Sequence, residues 1–388
     1  MSKQENGIIR SKNPIRLAVA AAALAMGGLS APVLAGGKVA IDDTKWLSVG
    51  AGFRAQYDSV EDGANGGEDR SNEFTMSNMR LYLSGQLHEM IKFTFNTEKL
   101  DGEDIEVLDA VAQFELSPAF NIWVGRMLTP ADRIEMSGPF YALSWNQYRQ
   151  PLYASDQGGE AGRIGRDEGI TLWGSMGKFQ YAIGAFDGLE GGANQSDELL
   201  YAGRFAYNFL NKEDNPGYYT SSTYYGSLGN IFTLGASFQS QSDGVGSEGE
   251  AGDFTGYTLD LLSETVLDGG GVVTVEAEYK DFDADYTLAT TPTSGDCFCL
   301  FDGDSWFATA AYLFPAEVGP GKFQPYVRFV ENNPSDADSS DATEFGLNYV
   351  ISGHNARLNI NFVDGDANAS GYAGADVNSF TVGVQVQL

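Results

Sequence analysis

Five of the eleven arginines that follow residue 35 fall between positions 126 and 166: Arg126, Arg133, Arg149, Arg163 and Arg166. The same window holds Asp132, Glu135, Asp156 and Glu160, a local charge of +1 in a chain whose formal net charge is −30. Guanidinium and carboxylate groups facing each other across a narrow, water-filled passage would create a transverse field that orients dipolar solutes. Charged rings select ions only where they reach such a passage. The same groups, closed into salt bridges, would instead tie the segment to its surroundings. Phe140, Tyr141, Trp145, Tyr148 and Tyr153 share the stretch, and an aromatic loop buries poorly in solvent but well against an inner wall. On the residues alone both readings stay open.

Outside this window charge recurs singly, inside alternating segments. Arg54, Arg80, Lys92, Arg204, Arg328 and Arg357 are the bases; Asp109, Glu115, Glu276, Glu278 and Glu344 are the acids. Both signs on one polar face suit a broad aqueous lumen rather than a single-ion filter, although such pairs can equally brace a wall. Enzymatic chemistry is not expected. Only His88 and His354 exist, both in short turns, so neither a Ser–His nucleophile nor a histidine metal cluster is supported. No cofactor or metal is expected either. Cys297 and Cys299, in "SGDCFCLFDGD", suggest a disulfide in an exported chain, with a soft-metal or intermolecular role as the alternative. "DADSSD" (336–341) lacks the spacing of an EF-hand loop.

The elements that position these residues are strands. In "WLSVGAGFRAQYD" (46–58), Leu47, Val49, Ala51, Phe53, Ala55 and Tyr57 share one face, with Ser48, Gly50, Gly52, Arg54 and Gln56 on the other. The same two-residue period marks about sixteen segments, centred near 52, 81, 95, 110, 124, 172, 182, 204, 235, 259, 276, 310, 327, 347, 360 and 382. Short turns (87–90, 116–120, 175–178, 352–355) alternate with long polar loops (59–72, 188–198, 242–253, 332–341, 364–376). That sorting, with an even strand count, predicts an all-β fold: a transmembrane antiparallel β-barrel with short periplasmic turns and long external loops. The connection 128–168, after the fifth strand, is the third such loop and the candidate constriction.

The amino terminus sets the compartment. Lys3, Arg10, Lys12 and Arg16 precede "LAVAAAALAMGGL" (17–29), and "APVLA" ends at Ala35. This predicts a signal peptide over 1–35 and a single barrel domain over 36–388. Losing four basic residues and one acidic residue takes the net charge from −30 to −33, which makes nucleic acid an improbable partner. The last segment, "NSFTVGVQVQL" (378–388), alternates to Leu388. A barrel closes by pairing its final strand with its first, so that neither edge is left open in lipid.

Three stretches, "MSNMRLYLSGQL" (76–87), "DAVAQFELSPAFNIWVGRMLTP" (109–130) and "NPGYYTSSTYYGSLGNIFTLGASFQSQ" (215–241), resemble the phosphate-selective porin O and P family. The strand plan resembles a sixteen-stranded general porin over nearly the whole exported chain. The resemblance implies an outer-membrane porin passing small hydrophilic solutes or ions by passive diffusion. It also implies a homotrimer, contact with lipid and lipopolysaccharide, and a third loop folded into the barrel. Phosphate-selective members line the pore with an arginine ladder and a lysine patch, whereas only eight lysines follow residue 35, without a cluster. Phosphate specificity is therefore not expected to carry over. The competing readings are a non-conducting barrel serving as an adhesin or binding scaffold, and a secreted all-β binding protein.

Overall fold

The computed structural model describes residues 37–102, 104–147, 165–284 and 297–388. The expected signal peptide lies outside the described residues. The first half of the chain contributes β1 (Gly37–Ala40), β2 (Trp46–Val60), β3 (Glu73–His88), β4 (Ile91–Lys99), β5 (Ile105–Ser117), β6 (Phe120–Leu128), helix α1 (Arg133–Tyr141), β7 (Arg166–Met176), β8 (Phe179–Phe186) and β9 (Leu200–Asn208). The second contributes β10 (Ile231–Ser247), β11 (Glu250–Val266), β12 (Val272–Ala284), β13 (Gly303–Leu313), β14 (Lys322–Pro334), β15 (Ser340–Ser352), β16 (Ala356–Ala367) and β17 (Ala373–Gln387).

From β2 to β17 each strand pairs antiparallel with the next, and β17 returns to β2 with Val382 opposite Tyr57 and Val386 opposite Phe53. The barrel is closed and sixteen-stranded, and each expected segment is one of its strands. Side-chain alternation decides which face meets which medium. In β2, Val49, Ala51 and Phe53 point out while Ser48, Gly50, Gly52 and Arg54 are buried inside. In β17, Phe380, Val382 and Val386 point out, opposed by Thr381, Gly383, Gln385 and Gln387. An apolar exterior over a closed hydrogen-bond ladder satisfies both demands of a bilayer. Among the described residues no helix is long and apolar enough to cross a membrane.

Three departures from expectation have physical reasons. β1, too short to show a period, is an extra strand that pairs with β2. It continues the edge on which Leu388 exchanges two backbone hydrogen bonds with Ala51, at 3.0 and 2.8 Å. The expected long loops 242–253 and 364–376 are mostly strand, and 332–341 is half strand, each pair joined by a short connection. Both faces of those segments are polar, which erases the alternation without weakening the backbone ladder. Conversely, the connection 209–230 between β9 and β10 is long although it leaves from the rim of short turns.

Two segments fill the barrel from opposite rims. Residues 129–147, carrying α1, enter from the long-loop rim, so the third loop is folded inward as expected. Residues 209–230 enter from the other and meet it: the Thr220 amide donates to the Met136 carbonyl (3.1 Å) and the Ser222 amide to that of Tyr141 (3.1 Å). Part of the lumen is apolar rather than polar, for Phe186, Leu200, Val245, Phe254, Phe282 and Phe301 form a buried cluster with Trp123 and Met127. Phe298 is packed against that cluster and flanked by Cys297 and Cys299, which form a disulfide.

Candidate constriction site

The inward loop begins with a capped turn. The Asp132 carboxylate accepts from the Glu135 amide at 2.9 Å, satisfying one of the donors left open at a helix start. The helix breaks at Gly138, whose φ of 62° is open to glycine, and Pro139 follows. The cap does a second job: Asp132 pairs with Lys280 of β12 at 2.8 Å, and Lys280 in turn with Glu278 at 3.2 Å.

Arg133 is the centre of the charge network. Its two terminal nitrogens donate to Glu213 at 2.8 Å each, its Nε to Asp260 of β11 at 3.2 Å, and Nη1 also to the Ser221 carbonyl at 2.9 Å. Arg204 of β9 holds the other side of Asp260 and donates to the Ala131 carbonyl at 3.1 Å. Burial opposes the charge on Arg133, yet Glu213 and Asp260 hold its guanidinium well above its usual range. Burial alone would raise the Glu213 carboxyl, but Arg133 beside it, with hydrogen bonds from Arg133, Thr233 and Tyr224, keeps it below the ordinary carboxylate range. A buried pair of this kind is costly to break, because it leaves a charge without compensation.

Wall residues then pin the rest of the loop by its backbone. Arg54 donates to the Trp145 carbonyl (3.0 Å), Arg357 to that of Ala142 (2.7 Å), Asn348 to Leu143 (3.0 Å), Gln385 to Phe140 (2.9 Å), and Arg328 to Asn146. Trp145 is fully buried, its ring 4.1 Å from the Arg54 guanidinium and its indole N–H on Gln56 at 2.7 Å. Glycine opens the seat: a Cβ at Gly383 would stand 2.3 Å from the Trp145 ring. Below it, His354 in the β15–β16 turn sits between Tyr141 and Tyr225, with ring centroids at 5.1 and 4.9 Å. Burial, aided by the positive charge of Arg357, lowers its pKa to about 3, so it is neutral.

The structure thus brings Asp132, Arg133, Glu135 and Arg204 together, and uses Arg54, Arg328 and Arg357 to hold the loop. Arg80 pairs with Glu98 at 2.6 Å and faces the Phe140 ring, while Arg166 pairs with Asp109 at 3.0 Å. Lys92 pairs with Glu115. Arg126 stands apart, paired with Glu168 at 3.0 Å on the outward face that also exposes Val124 and Ile170. Arg149, Asp156 and Arg163 lie outside the described residues. Sequence reasoning missed Asp260, Lys280 and Glu213. The first two occupy inward positions of β11 and β12 and were legible from parity; Glu213 sits in an aperiodic connection that gives no such signal. On the far side of 209–230, a cavity of about 420 Å³ opens against β5–β10.

Comparison with known proteins places this geometry. Residues 49–388 match the family model described as phosphate-selective porin O and P. Among solved structures, the anion-selective porin from Comamonas acidovorans superposes with a TM-score of 0.57 at 15% identity, covering 89% of this chain and 100% of that one. The Salmonella typhi OmpF complex with daunomycin gives 0.58 at 12% identity over 90% and 100%. The trimer form of in-vitro folded OmpT from Vibrio cholerae gives 0.55 at 13% identity over 89% and 100%. At these identities the likeness is one of fold. No curated protein matches the sequence.

Proposed function

The chain belongs to the phosphate-selective porin O and P family, an outer-membrane channel family, and from that premise we propose that it passes small hydrophilic solutes or ions by passive diffusion. The observation that carries this is the charged inward loop pinned by wall side chains inside a closed barrel, which we read as its limiting cross-section. Family and fold indicate a channel rather than an enzyme. The long-loop rim faces outward toward lipopolysaccharide, the signal peptide is removed on export, and the working unit is a homotrimer; a trimeric relative of the same fold supports the last point. Phosphate selectivity is not proposed, because Arg54, Arg328 and Arg357 spend donors on loop carbonyls and Arg133 on two carboxylates.

Selectivity follows from the same pairing. With Arg133 compensated, the net acidity of the chain should give weak cation preference in dilute salt. That preference fades as screening shortens to within about 8 Å at physiological ionic strength and below it in stronger salt. The test is a planar bilayer: stepwise conductance, with a reversal potential that moves toward zero as salt rises. Silence from correctly folded trimers would favour the second reading, a binding scaffold, for which the packing of two segments inside the lumen is the specific support.

A further inference from the structure

The cavity between residues 212–220 and the wall shares Arg133, Arg204 and Glu213 with the loop-pinning network, and the rest of its lining has the character of a site. Its volume of about 420 Å³ lies within the range of small-molecule sites, about 300–1,000 Å³. Trp173 and Tyr218 line it, with ring centroids 6.4 Å apart, backed by Trp123 at 5.4 and 5.3 Å. The Trp173 indole N–H is buried and has no hydrogen-bond acceptor. Asn121, Ser175, Asn215 and Thr220 add neutral polar groups to the lining, as does Gln180, whose amide already donates to the Glu213 carbonyl at 2.9 Å.

Charge identifies the class of guest. The cations that border the cavity are all in ion pairs: Arg133 with Glu213 and Asp260, Arg204 with Asp260, and Lys212 with Asp214 at 3.4 Å. Glu115, among its acids, is held by Lys92. An anion would find no uncompensated guanidinium, and a cation would compete with an existing partner everywhere except at exposed Glu89, on the short-turn rim. What is left is aromatic surface and neutral polar groups. Aromatic surface accepts the C–H face of a sugar ring, and neutral polar groups take its hydroxyls.

Resting on the channel reading above, we propose that this cavity is a binding subsite for uncharged, polyhydroxylated ring solutes, that is, small saccharides. The site samples solute on the short-turn side of the constriction.

The experiment titrates glucose, maltotriose and sodium phosphate separately against the folded protein in detergent, reading intrinsic tryptophan fluorescence. One or both sugars should give a saturable change and phosphate none. Tyr218→Leu, which removes a ring, and Ser175→Phe, which fills the cavity from the end of β7, should each weaken sugar binding at least tenfold. Heat-dependent gel migration reports folding of each variant, and either one folded suffices. No saturable change with either sugar, equal binding by both variants, or displacement of sugar by phosphate would each overturn the proposal. The channel reading is judged separately by wild-type bilayer conductance: conduction without sugar binding removes only the subsite, and sugar binding without conduction removes only the channel.

Discussion

Replacing Arg133 by Met should release the 209–230 segment and invert its response to pH. The substitution keeps much of the aliphatic packing but takes both hydrogen bonds from Glu213, while Asp260 keeps Arg204. Stranding a buried carboxylate costs about 3–5 kcal/mol. At 1.4 kcal/mol per decade, that shifts the balance between seated and released segment by roughly two to three and a half orders of magnitude. The sign with pH follows from Glu213. In the native protein its pKa is depressed, so its contribution to seating is present above the ordinary carboxylate range and lost as pH falls through the depressed value. Without Arg133 the hydrogen bonds from Thr233 and Tyr224 remain but the opposing charge is gone, so burial, the largest influence, raises the pKa; the variant segment is then released at neutral pH and reseats as acid neutralises Glu213. Ser222, fully buried, gives the reporter. Maleimide labelling of a Ser222→Cys background, normalised to free cysteine at each pH, measures the released fraction. Labelling of R133M within threefold of its reference at pH 7, or labelling that climbs on acidification, would refute the reasoning.

Gly383→Val should unseat Trp145, at an overpacking cost of about 1–3 kcal/mol, and raise single-channel conductance; an unchanged conductance means the ring moves aside without consequence. His354 keeps a pKa of about 3, so the native fold loses stability as pH drops from the ordinary histidine value, about 6.5, toward 3. His354→Gln should flatten that slope in acid-dependent heat-modifiability, and an identical slope would argue against a buried neutral imidazole. Removing Phe380–Leu388 takes away the β17 half of the seam with β2 and should abolish assembled barrel on unboiled gels, whereas normal assembly would mean the seam can close by another register.

The wall was legible because a bilayer outside and a polar interior force a period of two, which most strands from β2 to β17 carried; in 120–127 and 304–315 either face could be read as apolar, and Trp123, Met127 and Phe307 are indeed buried inside. What lies inside the wall was legible only in part. The aromatic, arginine-rich window 126–166 pointed to an inward loop, and in its described part Arg133 meets the wall carboxylate of Asp260 while Asp132 meets the wall lysine Lys280. Yet the choice between field and brace depends on distances that no spacing encodes, and Arg133, Arg204 and Arg357 turn out to be engaged as braces. Arg126 misled because a charge next to a loop need not share its face. The 209–230 segment was invisible for a different reason. "NKEDNPGYYTSSTYYGSLGN" has turn residues and tyrosines but no period, and only its partners Arg133, Glu264 and Trp123 reveal that it is buried. Hairpin tips such as 242–253 failed the other way, where Gly, Ser and Asp read as loop although the ladder continues.

The pinning of the inward loop has a mechanical side. An empty cylinder of sixteen strands can ovalise when the surrounding bilayer squeezes or stretches it. Here the loop behaves as a hub whose spokes are Arg204, Asp260, Lys280, Arg328, Asn348, Arg357, Gln385 and Arg54, reaching the wall from β9 round to β2. Each spoke is short, polar and buried, so a rounder or flatter outline would stretch several at once. Aperture is then fixed by the hub and not by the membrane, and a change in lipid chain length or lateral tension should leave the unit conductance where it was.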